Sequence, residues 1–328
     1  MRRPGDVGVA VMRPGGDDVA VTRRGDGGVA IRRPGDGGVI LVNVLVVLGL
    51  AGVLVALMID TGDRAIARSQ RFSEGGRALA LIEAGERSAI VALRRDMVLA
   101  PDVDHPGEPW GLVAQKPVAI EGGGFALTIS DAQDRFNLNA VAPRAREAQE
   151  ARKALAAIAA AAGLPEGTAE AIARSIGGAG PLQVPGDLVG RGVLTPAAVR
   201  RLARFVTALP GAAPVNVNSA APELLALLLA SPALAEKVVD LRRAFGFLTP
   251  ETLSDAGIDL PGTAGLASDL YRVRTTVRVG DTVQSMESLL QRRRVPGGAP
   301  GVVLPEVVVV ARRNALASPP EAPEEPES

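Results

Sequence analysis

From Val39 to Ile59 the chain reads VILVNVLVVLGLAGVLVALMI, an apolar run without a single charge. As a helix this run is about 31 Å long at roughly 1.5 Å per residue, close to the thickness of a bilayer's hydrocarbon core. A soluble core would have to bury such a cylinder on all sides. Asn43 is tolerable because it lies near one end. Beyond Ile59 the apolar positions Ile66, Phe72, Leu79, Ile82, Ala89, Ile90 and Leu93 recur at helical spacing. They now stand among Arg64, Arg68, Arg71, Glu83, Glu86 and Arg87. The pattern predicts one helix that leaves a membrane, turns amphipathic and lays its stripe on a soluble domain. Gly75-Gly76 reads as a bend rather than a stop, at about 1 kcal/mol per Gly relative to Ala.

Period-two alternation begins later. Phe125 to Ser130 (FALTIS) reads as a strand after the turn at Gly122 to Gly124. In the following DAQDRFNLN (131 to 139), Asn137 and Asn139 alternate with Phe136 and Leu138, as side chains that cap a turn do. Residues 143 to 210 are Ala-rich and helical in pattern. One helix is expected from Arg144 to Ala162, stopped by Gly163 and Pro165; another, capped by Thr168, runs through Ile176. Thr195-Pro196 opens a third, with an N-cap Thr and Pro at the first helical position. A short extended piece at Pro214 leads into a helix with Ser219 as N-cap. Further helices follow at Ser231 to Arg243 and after Thr249. From Tyr271 to Val279 alternation returns, Gly280-Asp281 turns, and Thr282 to Gln291 comes back as a partner strand. Glu306 to Arg312 supplies a last strand, and the Pro/Glu-rich end from Ser318 to Ser328 is expected to be disordered.

Composition narrows the chemistry. With no Cys and a single His, His105, disulfides, thiol catalysis and zinc–thiolate sites are excluded. No nucleophile–base constellation is visible, so no catalytic residues are named and an enzyme is not expected. The 36 basic and 36 acidic residues cancel, and nothing global points to nucleic acid. The distribution is less even, because the first 38 residues carry an Arg excess and an imperfect repeat (RRPGDVGVAV, RPGGDDVAV, RRGDGGVAI, RRPGDGGVIL). Arg32 and Arg33 precede the apolar run, whereas Asp60 and Asp63 follow it. The positive-inside bias therefore sets the leader in the cytoplasm and the remaining chain across the membrane. A secretory signal peptide would have a shorter apolar core and a small-residue cleavage site after it; Thr61-Gly62-Asp63 is a poor one.

The Gly37-Gly38-Val39 junction resembles that of prepilins, whose basic leaders end in Gly and are cut before an apolar residue. That resemblance implies cleavage by a prepilin peptidase between Gly38 and Val39, with Val39 the new, methylated terminus. The fifth mature residue is then Asn43, where most pilins carry Glu; the subfamily commonly lacking that Glu caps the filament tip. Four features in order are similar to the K-type minor pseudopilins of type II secretion systems. They are the Gly38 leader and stem, DAQDRFNLN (131 to 139), PVNVNSAAPELLALL (214 to 228), and YRVRTTVRVGDTVQSMESLLQRR (271 to 293). The resemblance implies an α+β fold, with a long stem helix and a pilin-like antiparallel sheet interrupted by an inserted all-α domain. Its expected parts are a cleaved leader (1–38), a transmembrane and stem helix (39–96), and the first part of the pilin-like domain (97–142). An all-α insert (143–265), returning strands (266–313) and a tail (314–328) follow.

The implied role is a tip subunit of an inner-membrane pseudopilus that exports folded proteins across the outer membrane. The body of the chain would lie in the periplasm, with the I- and J-type minor pseudopilins as partners. The sequence departs from the family at Ser175 to Gly180, which lacks the usual carboxylate- and Trp-containing stretch. No cofactor is implied beyond a possible calcium ion, for which no clustered Asp pattern is present. The competing reading is a membrane-tethered DNA-binding protein, because residues 214 to 260 resemble a helix-hairpin-helix module. The hairpin Leu229-Ala-Ser-Pro-Ala233 lacks the glycines that present backbone amides to phosphate, which leaves Lys237, Arg242 and Arg243; no nucleic-acid partner is expected.

Overall fold

A computed structural model describes residues 36–112, 118–143, 145–298 and 303–315. The chain divides into two compact units, residues 1–69 and 70–328. In the first, the described chain is all helix. Helix α1 runs from Asp36 to Leu99 and continues through Gly75-Gly76 without a break. From Leu41 onward it is long and apolar enough to cross a membrane, and its large side chains from Leu41 to Ile59 are exposed. The leader repeats lie outside the described residues.

In the second unit, the end of α1 is followed by the short helix α2 (Pro109–Leu112) and strands β1 (Val118–Ile120), β2 (Gly123–Asp131) and β3 (Phe136–Asn137). A 3-10 turn (Leu138–Val141) leads to helices α3 (Ala148–Ala161), α4 (Thr168–Ala179), α5 (Asp187–Gly190) and α6 (Pro196–Leu202). Strands β4 (Val206–Thr207) and β5 (Val215–Asn216) precede helices α7 (Pro222–Leu228), α8 (Pro232–Phe245) and α9 (Pro250–Asp255). The chain then passes through β6 (Ala264–Gly265) into β7 (Leu270–Val279), β8 (Thr282–Pro296) and β9 (Val303–Asn314). The tail from Ser318 lies outside the described residues, as do Arg144 and residues 299–302 of the loop before β9.

Five strands form one antiparallel sheet in the order β1-β2-β7-β8-β9. β2 and β7 are neighbours in space although the helices lie between them in sequence. The helical segment is therefore an insert between adjacent strands. Asp131 pairs with Tyr271 at its base, and the amide of Ala132 donates to Leu270 O at 2.9 Å. Within the insert Leu155, Ile158, Ile172, Leu188, Leu202, Leu224 and Val238 form one continuous buried cluster. The insert is not purely helical. β3 pairs parallel with β4, and β5 with β6, two residues each.

Residues of β7 at 271, 273, 275, 277 and 279 face inward, and α1 lies across them. The buried stripe on α1 is Ala78, Ile82, Glu86, Ala89 and Leu93, with Ile90 partly buried. Phe72 and Leu79, which the spacing assigns to that stripe, are exposed. The reason is the close approach of helix to sheet. The two alanines are wholly buried, and a Cβ on Gly85 would lie 3.0 Å from Phe125 Cζ and 3.1 Å from Thr275 Cγ2. Small residues carry the contact, and the large ones are turned out. Gly85→Leu is therefore expected to push the helix from the sheet at a cost of about 1–3 kcal/mol, measured as a lower urea midpoint with an unchanged slope.

Two caps differ from expectation. Thr168 is the first helical residue of α4, its hydroxyl donating to Pro165 O at 2.6 Å, and the cap is Gly167 in the left-handed region. Ser219 does not cap α7, which starts after Ala221 with Pro222 in the first turn. Thr195, Ser231 and Thr249 do cap their helices, each accepting a backbone N–H three residues on.

Candidate functional site

The most heavily built polar region lies where the end of α1, the sheet and the insert meet. It starts from local chemistry. Asp131 closes β2, and its Oδ1 accepts the amide of Gln133 at 2.7 Å, a turn that carries the chain out of the sheet. Its Oδ2 accepts Ser268 Oγ at 2.7 Å and Asn216 Nδ2 at 2.9 Å, tying β2 to β5 and to the segment between β6 and β7. Gln133 spans the same gap, donating to Pro214 O at 2.9 Å and accepting the amide of Asp269 at 2.7 Å. Asn137 and Asn139 hold the next turn as their spacing implies. Asn137 accepts the amides of Asn139 and Leu209, and Asn139 donates to Leu182 O and Leu209 O.

Around these bonds sits a cluster of buried charge. Asp104 is fully buried; its Oδ1 accepts the Tyr271 hydroxyl at 2.7 Å, and its Oδ2 accepts the Ser268 amide at 2.7 Å and the Arg292 guanidinium. Arg292 Nη1 also donates to Asp96 Oδ2 at 2.8 Å and Nη2 to Ser268 O at 2.6 Å, while the guanidinium lies 4.8 Å over the Tyr271 ring. Glu108 accepts the indole N–H of Trp110 and the amide of His105, each at 2.9 Å. Trp110 meets Tyr271 edge-on, with ring centroids 5.0 Å apart. His105 stacks on Phe247 of the insert at 4.1 Å.

Burial, reinforced by Glu108 and Asp104 and opposed by Arg292, pushes the Asp96 carboxyl up to about 7. Burial also raises the Asp131 carboxyl and the Tyr271 hydroxyl. A second ionic contact lies farther down α1. There Glu86 accepts two guanidinium bonds from Arg312 and one from Ser288 Oγ, and the Arg312 contact holds its carboxyl below the ordinary value.

Among the described residues, Asp96, Asp104 and Glu108 form the one carboxyl group whose oxygens, all within 4.8 Å, are spaced closely enough for a cation. The cation that stands against Asp96 and Asp104 is the guanidinium of Arg292. None of these residues stands out in the linear sequence. Asp104 and Arg292 are 188 positions apart. The signal that points to Arg292 is register, because residues 288, 290 and 292 are the inward positions of β8. A charged group on an inward position demands a buried partner.

The residues named from the prepilin resemblance lie elsewhere. Gly38, Val39 and Asn43 sit in the first turns of α1, where Asn43 is exposed; the side chain of Val39 lies outside the described residues. The hairpin between α7 and α8 has Ala230 in the left-handed region (φ 50°). The basic residues beside it are bonded within the fold. Lys237 donates to Ala256 O, Arg242 to Val217 O and Ala220 O, and Arg243 to Asp240.

No protein-family model matches the chain. It is 28% identical over 292 residues to the type II secretion system protein K of Pseudomonas aeruginosa, a match that covers 77% of this chain and 87% of that protein. Its fold matches a chain in the crystal structure of the GspK–GspI–GspJ complex from the enterotoxigenic Escherichia coli type 2 secretion system. The TM-score is 0.57 at 19% identity, over 76% of this chain and 100% of that chain. In sequence the chain is thus similar to a type II secretion system protein K, and in fold to a chain of the GspK–GspI–GspJ complex.

Proposed function

We propose that the chain is a minor pseudopilin, a structural subunit that acts by assembly rather than by catalysis at the tip of a type II secretion pseudopilus. The observation that carries the reading is one uninterrupted helix, apolar to Ile59 and then packed on a sheet, in a chain collinear with the Pseudomonas protein K. In this role the apolar part of α1 spans the inner membrane. Arg32 and Arg33 keep the leader cytoplasmic, and the second unit faces the periplasm. A prepilin peptidase removes residues 1–38, leaving Val39 as the mature terminus and Asn43 at position five. Without a carboxylate there, the subunit has nothing to neutralise a terminal amine above it, which suits the end of a filament. The I- and J-type minor pseudopilins, which stand beside GspK in the matched complex as GspI and GspJ, are the partners this reading assigns. The role requires no cofactor.

N-terminal sequencing of the membrane-extracted protein, made with and without prepilin peptidase, tests the reading. A terminus at Val39 that depends on the peptidase is expected, and Gly38→Val should leave the leader attached. A terminus elsewhere, or one that does not depend on the peptidase, overturns it.

A further inference from the structure

Asp96, Asp104, Glu108 and Asp131 are all buried at the joint, and the buried guanidinium of Arg292 pairs with the first two. Fully ionised, the group would hold several like charges in a region that water cannot screen, an arrangement that drives a proton onto one member. The hydrogen bonds identify which. The Asp104 carboxylate accepts three donors, from Tyr271, Ser268 and Arg292, and Glu108 accepts two, from His105 and Trp110. Asp96 accepts one, from Arg292. The carboxyl with the fewest donors gains least from being ionised.

Each neighbour belongs to a different part of the fold. Asp96 is on α1; Asp104, His105 and Glu108 are on the segment after it; Asp131 ends β2; Tyr271 is on β7 and Arg292 on β8. Asp269, beside Ser268, faces Arg292, Asp104 and Arg294. Asn216 brings in the insert, donating to Asp104 O and to Ser268 Oγ at 3.0 Å each.

We propose that the joint binding α1 to the sheet and the insert is a proton-operated latch, closed while Asp96 is protonated and loosened when Asp96 ionises. The direction follows from linkage. A carboxyl held above its ordinary value in the folded chain gives stability that is fully present at low pH. That stability is lost progressively as pH rises from the ordinary carboxyl range up to the folded value, here about 7. The latch is therefore tight in mild acid and slack in mild alkali, the reverse of a salt-bridged carboxylate.

Trp110 is the chain's single tryptophan and bonds Glu108 within the cluster, so its emission reports on the latch. The full chain in detergent micelles would be titrated from about pH 5 to about pH 8.5, with emission and thermal midpoint followed. The wild type is expected to show a red shift as pH rises through neutrality, and a Tm that falls on the order of 5 °C or more on the way up to neutrality and then levels off. Asp96→Asn, which keeps an acceptor for Arg292 but cannot ionise, should hold the acid-form emission throughout. Infrared difference spectra of the wild type across the same range should show a protonated carboxyl band disappearing, a readout that needs no variant. A flat wild-type profile without that band overturns the latch, and so does an Asp96→Asn protein that titrates like the wild type. Loss of the profile in His105→Gln would assign the proton to the imidazole instead. Stoichiometric calcium binding that abolishes the Tm fall would put a metal ion where the latch has a proton, and would also overturn it.

Discussion

Replacing Arg292 with methionine should destabilise the second unit by about 3–5 kcal/mol, read as a fall in the urea midpoint followed by far-ultraviolet circular dichroism. The side chain is only 5% exposed and bonds Asp96, Asp104 and the Ser268 carbonyl. Methionine fills much of the same volume, so the loss comes less from packing than from stranding buried carboxylates without their cation. That origin has a consequence of its own. Asp104→Asn combined with Arg292→Met should recover part of the loss, because one of the stranded carboxylates is removed with its partner. Simple additivity of the two substitutions would show that the cost is volume and not charge.

Trp110→Ala is expected to cost a comparable 3–5 kcal/mol or so, by a different route. The indole is 2% exposed and packs among Ala89, Leu93, Leu127 and Tyr271. Its removal opens a cavity between α1 and the sheet and leaves Glu108 short of one donor. Trp110→Phe separates the two effects. It keeps most of the packing and loses the indole N–H, so a cost of about 1–3 kcal/mol is expected from the hydrogen bond to the buried carboxylate. A Phe variant as unstable as the Ala variant would make the hydrogen bond the larger share. Chemical denaturation of all three proteins at one pH measures the difference.

The elements set by local pattern are legible in the sequence. The uncharged run from Val39 and the alternation from Tyr271 to Val279 each announce their structure, because one residue in two or in 3.6 meets the same surroundings. The strands β8 and β9 reach farther than their alternation shows, to Pro296 and from Val303. Arg292 to Arg294 pair with Val307, Glu306 and Pro305, and of the three only Arg292 is buried. The stripe on α1 is legible as a helix but not as a contact. Which face turns inward depends on how close the sheet comes, and Gly85 and Ala89, not Phe72 and Leu79, permit that approach.

The polar joint is the least legible part. DAQDRFNLN carries its turn-capping asparagines openly, and they do cap. Asp131 and Gln133 in the same motif instead reach across to Asn216, Ser268 and Pro214. Such pairings are set by where the insert leaves and rejoins the sheet, and no spacing within a motif encodes that. The assignment of Val39 and Asn43 rests on the prepilin junction, which is a processing signal and not a packing one.

The course of α1 along the sheet also fixes how the second unit answers a pull. Glu74 accepts the Thr282 hydroxyl at 2.8 Å, Glu86 holds Ser288 and Arg312, and Asp96 holds Arg292, so the helix and β8 advance side by side in the same direction. Tension applied along the helix loads these three anchorages together, as rivets in shear. They do not open one after another like a zip, so the head would yield only when all of them slip at once.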